Sequence, residues 1–351
     1  MKVEEILRDL VSFNTINDLQ NIEIMNYIKK YLEEYSFDCE LIGDEKKILI
    51  ARTKKNPILG FVGHTDTVSY KETFGSNPFE LIEKEGNLYG LGSCDMKGGI
   101  AAILKAISEI NFNELDYGMM LIFTYDEEIS FGGIKYFKSK NIKYPEYLII
   151  GEPTNNISMN SSKGVIEYNF DFYGKRSHSS MIEESSNINC INFLHELLEL
   201  NKYFQRKGNI DSDFNYSTMN YGIIKGGERV NIVSDHTYAT CDFRIINNEE
   251  SDHVIKYVDE ISKKYNMKYS IGIKIEPFIN ESEIVDYYEE ITNSKRKRFF
   301  GISEASILEG NNIILGPGPI TAHEDNEYIS KYSLYNTVEI YKKIINKLLT
   351  K

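Results

Sequence analysis

Five short stretches of this chain carry side chains able to bind a cation or move a proton. His64-Thr65-Asp66 sets an imidazole two residues from a carboxylate, a spacing that can supply a metal ligand and the group that orients its ring. Asp95 stands among glycines in Gly90-Leu-Gly-Ser-Cys-Asp-Met-Lys-Gly-Gly99, where the backbone is free to pack closely. Asp126-Glu127-Glu128 places three acids together, and such a group repels itself unless cations lie near. Glu152 sits in Gly-Glu-Pro-Thr, and His323 follows Gly316-Pro-Gly-Pro319. Each has a plainer reading. HxD and His323 suit solvated loops, and Asp95 suits a helix N-cap. The acidic triplet suits a helix start favoured by the dipole, and Glu152 suits a turn. The glycine stretch lacks the GxxxxGK[ST] spacing of a phosphate loop.

The elements around these residues decide between the readings. ILGFVG (58–63) and MMLIFTY (119–125) are apolar runs of the kind buried in a parallel sheet, as are YLIIGEPT (147–154) and IILGPG (313–318). Each is followed by one of the polar groups above, and catalytic and ligand groups of open α/β sheets collect at strand ends. GGIAAILKAISEI (98–110) reads as a helix, and residues 1–35 as an amphipathic helix pair with Val3, Ile6, Leu7, Leu10, Ile22, Met25, Ile28 and Leu32 inward. From residue 164 the pattern changes. GVIEYNFDFYG alternates apolar and polar positions, a helix spans Ile188 to Tyr203, two strands follow, then a helix from Asp252 to Tyr265 and YSIGIKIEPF. That order describes a small α+β domain of ferredoxin-like type. The predicted fold is therefore α/β: a mostly parallel-sheet domain (1–163 and 276–351) with an inserted α+β domain (164–275). Two histidines and three carboxylates gathered at the sheet edge would make a shell for two cations. Two divalent ions and one bridging hydroxide would neutralise Asp95, Glu128 and Glu152, which makes burial affordable.

Bulk composition narrows the classes. The 351 residues suggest two domains, and 41% hydrophobic with 26% charged residues is ordinary for a globular protein. A net charge of -13 argues against nucleic acid as a partner. The basic SKRKRFF segment around Lys295 reads as a solvated turn. No apolar run is long enough to span a membrane, and the acidic, helix-patterned start carries no signal core, so a cytoplasmic location is expected. Four scattered cysteines read as free thiols. Repeats and low-complexity tracts are absent.

GHTDTV, YGLGSCDMKGG, TYDEEIS, GEPT and GPGPITAHEDNEYI, in this order, resemble the metallopeptidase family of acetylornithine deacetylase, succinyl-diaminopimelate desuccinylase, aminoacylase and carboxypeptidase G. The likeness covers nearly the whole chain, and YGLGSCDMKG, GEPT with SSKG, and GPG with AHEDNEY look nearest to acetylornithine deacetylase. The resemblance implies two zinc ions, with cobalt or manganese as substitutes. His64 and Glu152 would hold one, Glu128 and His323 the other, and Asp95 would bridge them. Asp66 would orient His64, and Glu127 would be the general base. His178 would reach from one subunit's inserted lid domain into the partner's site of a homodimer and stabilise an oxyanion. Asn231 and Arg244 would grip the substrate carboxylate, although Arg244 alone also reads as a strand-face salt bridge. Ser234 stands where relatives often have proline, with little consequence expected. The Asp95–Met96 peptide bond is expected to be cis. His195, His236 and His253 match nothing and read as surface residues. The implied activity is amide hydrolysis of a small N-acyl amino acid, N-acetylornithine first. Alternatives are succinyl-diaminopimelate, a dipeptidase or aminoacylase, and a non-catalytic ligand-binding relative. The last would be favoured by a lost base, and Glu127 is present.

Overall fold

The structure is a computed structural model that describes residues 1–71, 74–75, 77–207 and 216–351. The chain divides into two compact units. One comprises Met1–Ser161, Ile279–Phe299 and Ser303–Lys351; the other comprises Ser162–Phe278 and Phe300–Ile302.

The first unit is built on a mixed nine-stranded sheet. Its centre is four neighbouring parallel strands in the order Gly118–Thr124, Pro57–His64, Tyr147–Ile150 and Asn311–Ile314. The run GMMLIFT is buried throughout, as a strand covered on both faces requires. The flanks are antiparallel: Asp38–Ile42 and Ile48–Arg52 on one side, and Met159–Ser162 beside Asn311–Ile314 on the other. Helices Lys97–Ser108 and Lys331–Leu349 pack together and against the Pro57–His64 strand. The core joins Phe61, Ile100, Ile103, Leu121, Ile149, Val338 and Tyr341. Each such side chain removed from water contributes roughly 1.5–3 kcal/mol before entropy is set against it.

Helices Val3–Ser12 and Asn21–Glu34 form as the pattern predicts, with one correction. Ile22 is exposed, because the helix begins at Asn21 and its inner face is carried by Ile24, Met25, Ile28, Tyr31 and Leu32. The SKRKRFF segment is also corrected. Lys297–Phe299 is a strand beside Met159–Ser162, not a turn. Its register is held by Lys297 N–H donating to Ser158 O at 2.8 Å, while Arg296 forks onto Asp286 and Glu289.

The second unit is built on a four-stranded antiparallel sheet. In space its strands run Met267–Ile275, Gly164–Tyr173, His236–Ile245, Thr218–Gly226, that is fourth, first, third, second in chain order. Alternate residues Ile166, Tyr168, Phe170 and Phe172 point into a core shared with helices Ser186–Lys207 and Asn248–Ser262. Phe193 of the first helix meets Phe170 at 4.8 Å between ring centres. Ser234 is buried and hydrogen-bonds Ser186 at 2.9 Å. His195 and His236 are exposed, whereas His253 is half-buried and stacks on Tyr203 at 4.2 Å. That stack on an aromatic face is why His253 departs from the surface reading. Among the described residues no helix is long and apolar enough to cross a membrane.

Candidate metal centre

The four central strands end at one edge, and each delivers a polar group there. His64 is the last residue of its strand and pairs in register with Thr124. Just past Thr124 the backbone turns through left-handed Asp126 (φ 58°), whose N–H donates to Asp18 Oδ1 at 3.3 Å, and then enters the short helix Glu127–Ser130. Glu152 follows the strand ending at Ile150, and His323, itself left-handed (φ 65°), follows the strand ending at Ile314. Asp95 comes from the loop before helix Lys97–Ser108. Its peptide bond to Met96 is cis, and it does not cap the helix, whose N-cap is Met96. Gly99 lets that helix seat directly on the sheet edge. A Cβ there would lie 2.0 Å from Gly151 O, one residue before Glu152.

These residues converge. His64 Nε2 lies 3.1 Å from Asp95 Oδ1 and 3.8 Å from Glu152 Oε1. His323 Nε2 lies 3.0 Å from Glu128 Oε2 and 3.6 Å from Asp95 Oδ2. The two oxygens of Asp95 thus face two separate donor pairs. Glu127 Oε2 is 4.0 Å from His64 Nε2. Asp66 addresses the far side of the His64 ring, with its backbone oxygen 3.1 Å and Oδ1 3.5 Å from Nδ1, and its Oδ2 accepts the Glu128 N–H at 3.1 Å. His64 is fully buried, while the His323 side chain is 55% exposed.

The electrostatics show a cluster short of positive charge. Burial pushes Glu127 and Glu152 well above the usual carboxylate range, and neighbouring carboxylates add to the rise. Burial also raises Glu128 against the pull of its His323 hydrogen bond. Asp95 is held low despite burial, because His64, Glu152 and His323 outweigh it. Burial likewise opposes a charge on His64, but Asp66 and Asp95 overcome it and hold the ring well above its ordinary value. Hydrogen bonding to Glu128 lifts His323 to about 9. Imidazoles and carboxylates in this arrangement fit divalent cations of hard to borderline character. Two sets of three have ligand atoms within 4.8 Å of one another: His64 with Glu127 and Glu152, and His64 with Asp95 and Glu128.

The second unit carries the other candidates, His178, Asn231 and Arg244. His178 is exposed on the two-stranded ladder Ser177–His178 with Ile232–Val233, and its Nδ1 lies 2.9 Å from Ser180 Oγ. Asn231 adjoins that ladder and accepts Ser179 N–H on its backbone oxygen at 3.1 Å. Arg244 is gripped bidentately by Asp242 at 2.8 Å, the strand-face pair its position allowed. Two acids of the first unit escaped the sequence reading. Glu304 is wholly buried, hydrogen-bonded by Thr124 Oγ1, and pushed to about 7 by burial, with Oε2 left unpartnered. Glu327 is buried against the Asp95 loop. Nothing in the spacing marks Glu304; Glu327 lies four residues past His323 within a stretch already singled out.

Known proteins resemble this chain over most of its length. The model of peptidase family M20/M25/M40 matches residues 60–347. Acetylornithine deacetylase of Buchnera aphidicola subsp. Schizaphis graminum is 30% identical, covering 98% of this chain and 97% of the relative. That of Photorhabdus laumondii is 28% identical, covering 97% and 96%. Among solved structures, aminopeptidase PepT from Bacillus cereus superposes with a TM-score of 0.82 at 19% identity over 98% of this chain and 97% of that one. A dinuclear metal-binding peptidase from Bacillus subtilis gives 0.73 at 13% identity over 99% and 97%. With the family match and the relatives covering nearly its whole length, the chain belongs to peptidase family M20/M25/M40, as a metal-dependent amidohydrolase.

Proposed function

We propose that this chain hydrolyses the amide bond of a small N-acyl amino acid, N-acetylornithine first, at a pair of zinc ions. The observation that carries the reading is Asp95, whose two oxygens face His64 with Glu152 on one side and His323 with Glu128 on the other. His64 and Glu152 would hold one ion and Glu128 and His323 the second, with Asp95 between them. Bound metal of this kind lowers the pKa of water and polarises a carbonyl. Glu127, deep in the cluster, takes a proton from the attacking water and delivers it to the leaving nitrogen. Its burial raises its proton affinity, which suits a group that must both take and give. Asp66 fixes the His64 ring so that Nε2 faces the site.

The inserted unit acts as a lid and as the dimer surface. Ile188, Ile191, Ile223, Ile224 and Val230 are exposed apolar residues on it, which supports pairing with a second copy. His178, on that lid, donates to the developing oxyanion of the partner's site. Asn231 and Arg244 receive the substrate carboxylate, Arg244 exchanging its fork from Asp242. The free cysteines support work in the reducing cytoplasm. The test is release of free amine from N-acetylornithine, N-succinyl-diaminopimelate and dipeptides by zinc-loaded protein. Turnover of dipeptides alone would overturn the deacylase reading.

A further inference from the structure

We propose that Glu327 is a positioning residue of this site, which fixes the turn presenting Asp95 and ties it to the loop carrying His323. The inference rests on the two-ion reading above. The Glu327 side chain is almost wholly buried, and both its oxygens are spent on backbone. Oε2 accepts Gly92 N–H at 2.7 Å. Oε1 accepts Cys94 N–H at 2.8 Å and Asp95 N–H at 2.9 Å. The Glu327 backbone oxygen also accepts Gly90 N–H at 3.1 Å. One residue therefore clamps the loop at four amides, from a point over 230 positions later in the chain.

A neutral side chain would have been the cheaper choice for a brace. Burial disfavours the Glu327 charge, and Asp95 beside it adds repulsion. What a carboxylate offers is a rigid pair of acceptors making charge-assisted bonds to N–H groups that the turn itself leaves unpaired. With both oxygens so used, Glu327 is not itself a ligand. Its position explains its reach: His323 lies four residues before it, so the same short segment carries one donor and anchors the bridging one. The separation between Asp95 Oδ2 and His323 Nε2, 3.6 Å here, is then set by this clamp. Groups that hold ligands in this way are worth about 10- to 100-fold in metal affinity or activity.

Glu327→Gln tests the role. The amide keeps the shape, but one end becomes a donor facing either Gly92 N–H or the Cys94 and Asp95 pair. Cobalt(II) is titrated into metal-free parent and variant, followed by calorimetry and by visible absorption. The metal-free forms are melted, and kinetics are run on an N-acyl amino acid that the parent hydrolyses. Cobalt binding should weaken about 10- to 100-fold at one or both positions, with a changed absorption band. Values of kcat should fall by a similar factor while KM moves less than about threefold. Parent-like cobalt affinity and spectrum in folded variant would overturn the inference. So would a large loss of metal-free stability in which the surviving folded fraction binds cobalt as the parent does, since Glu327 would then only brace the fold. If Glu327→Gln does not fold, Glu327→Asp keeps the charge and shortens its reach: weakened cobalt binding supports the role, parent-like binding refutes it. A parent that binds no cobalt removes the two-ion reading as well; a parent that binds two, with an unaltered variant, removes only this inference.

Discussion

Distance alone does not separate the roles of Glu127 and Glu128, and exchanging each for glutamine does. Glu127 Oε2 is 4.0 Å from His64 Nε2, and a Glu127 oxygen lies within 4.8 Å of ligand atoms on both His64 and Glu152, close enough for a ligand. Glu128 lies 3.0 Å from His323 and hangs by its N–H on Asp66. If Glu127 is the base, Glu127→Gln removes proton transfer and leaves both donor pairs whole. Loss of a general base costs about 10² to 10⁴ in rate, or roughly 3–5 kcal/mol of barrier. Metal content should stay at the parent's level. Glu128→Gln removes one anionic donor from the His323 pair, so its metal content after dialysis should fall. Removing a raised, buried carboxylate from a like-charged cluster should also leave the metal-free Glu127→Gln protein at least as stable as the parent. The assay is metal analysis of dialysed protein beside steady-state kinetics at saturating metal. Glu127→Gln losing metal while Glu128→Gln retains it would refute the assignment and reverse the two roles.

Saturated parent protein should hold about two metal ions per chain, and His64→Ala and His323→Ala should each reduce that number; unchanged metal content in both would remove the site. Gly99→Ala should cost about 1–3 kcal/mol in a denaturant titration, because its Cβ would meet the Gly151 carbonyl, which is backbone and yields little. Glu289 is held at about 2 by Arg296, with Lys295 adding to the effect. Its folded value is depressed, so it stabilises above the unfolded value of 4.5 and loses that stabilisation as the pH falls toward 2. Glu289→Gln should therefore lower stability by about 1 kcal/mol at pH 7, and urea midpoints of the two proteins should begin to approach one another below about pH 4.5 and meet near pH 2. Mixing inactive Glu127→Gln with inactive His178→Ala should restore part of the activity, since a mixed dimer holds one site with both groups intact; subunit exchange without recovery would place His178 within its own chain or outside catalysis.

The parallel centre of the first unit was legible because burial on both faces writes itself as unbroken apolar runs, GMMLIFT and YLII among them. The inserted unit was legible for the opposite reason, since one covered face makes GVIEYNFDFY alternate. The antiparallel flanks were not. Asp38–Ile42 is an edge strand without a fully buried residue, so its sequence carries no inside and outside to read. Lys297–Phe299 is three residues of mostly basic sequence whose register is held by Lys297 N–H on the distant Ser158 carbonyl, while Arg296 reaches back to Asp286 and Glu289. Ile22 shows the same limit in a helix: an apolar residue at the first turn belongs to either face until the start of the helix is known.

The candidate metal centre divides along a similar line. His64, Asp95, the acidic pair Glu127 and Glu128, Glu152 and His323 sit at or after strand ends or in a glycine loop, where a polar residue after an apolar run stands out. Parallel strands in register then bring those ends together, as His64 opposite Thr124 shows. The residues that hold the arrangement leave no such trace. Glu327 acts on backbone amides, which have no side-chain identity for a sequence to display. Glu304 accepts a hydrogen bond from Thr124, a strand residue whose hydroxyl is buried and whose partner lies 180 positions away. A buried carboxylate looks in sequence like an exposed one. Only the count of what surrounds it, here backbone N–H groups for Glu327 and an unpartnered oxygen for Glu304, tells the two apart.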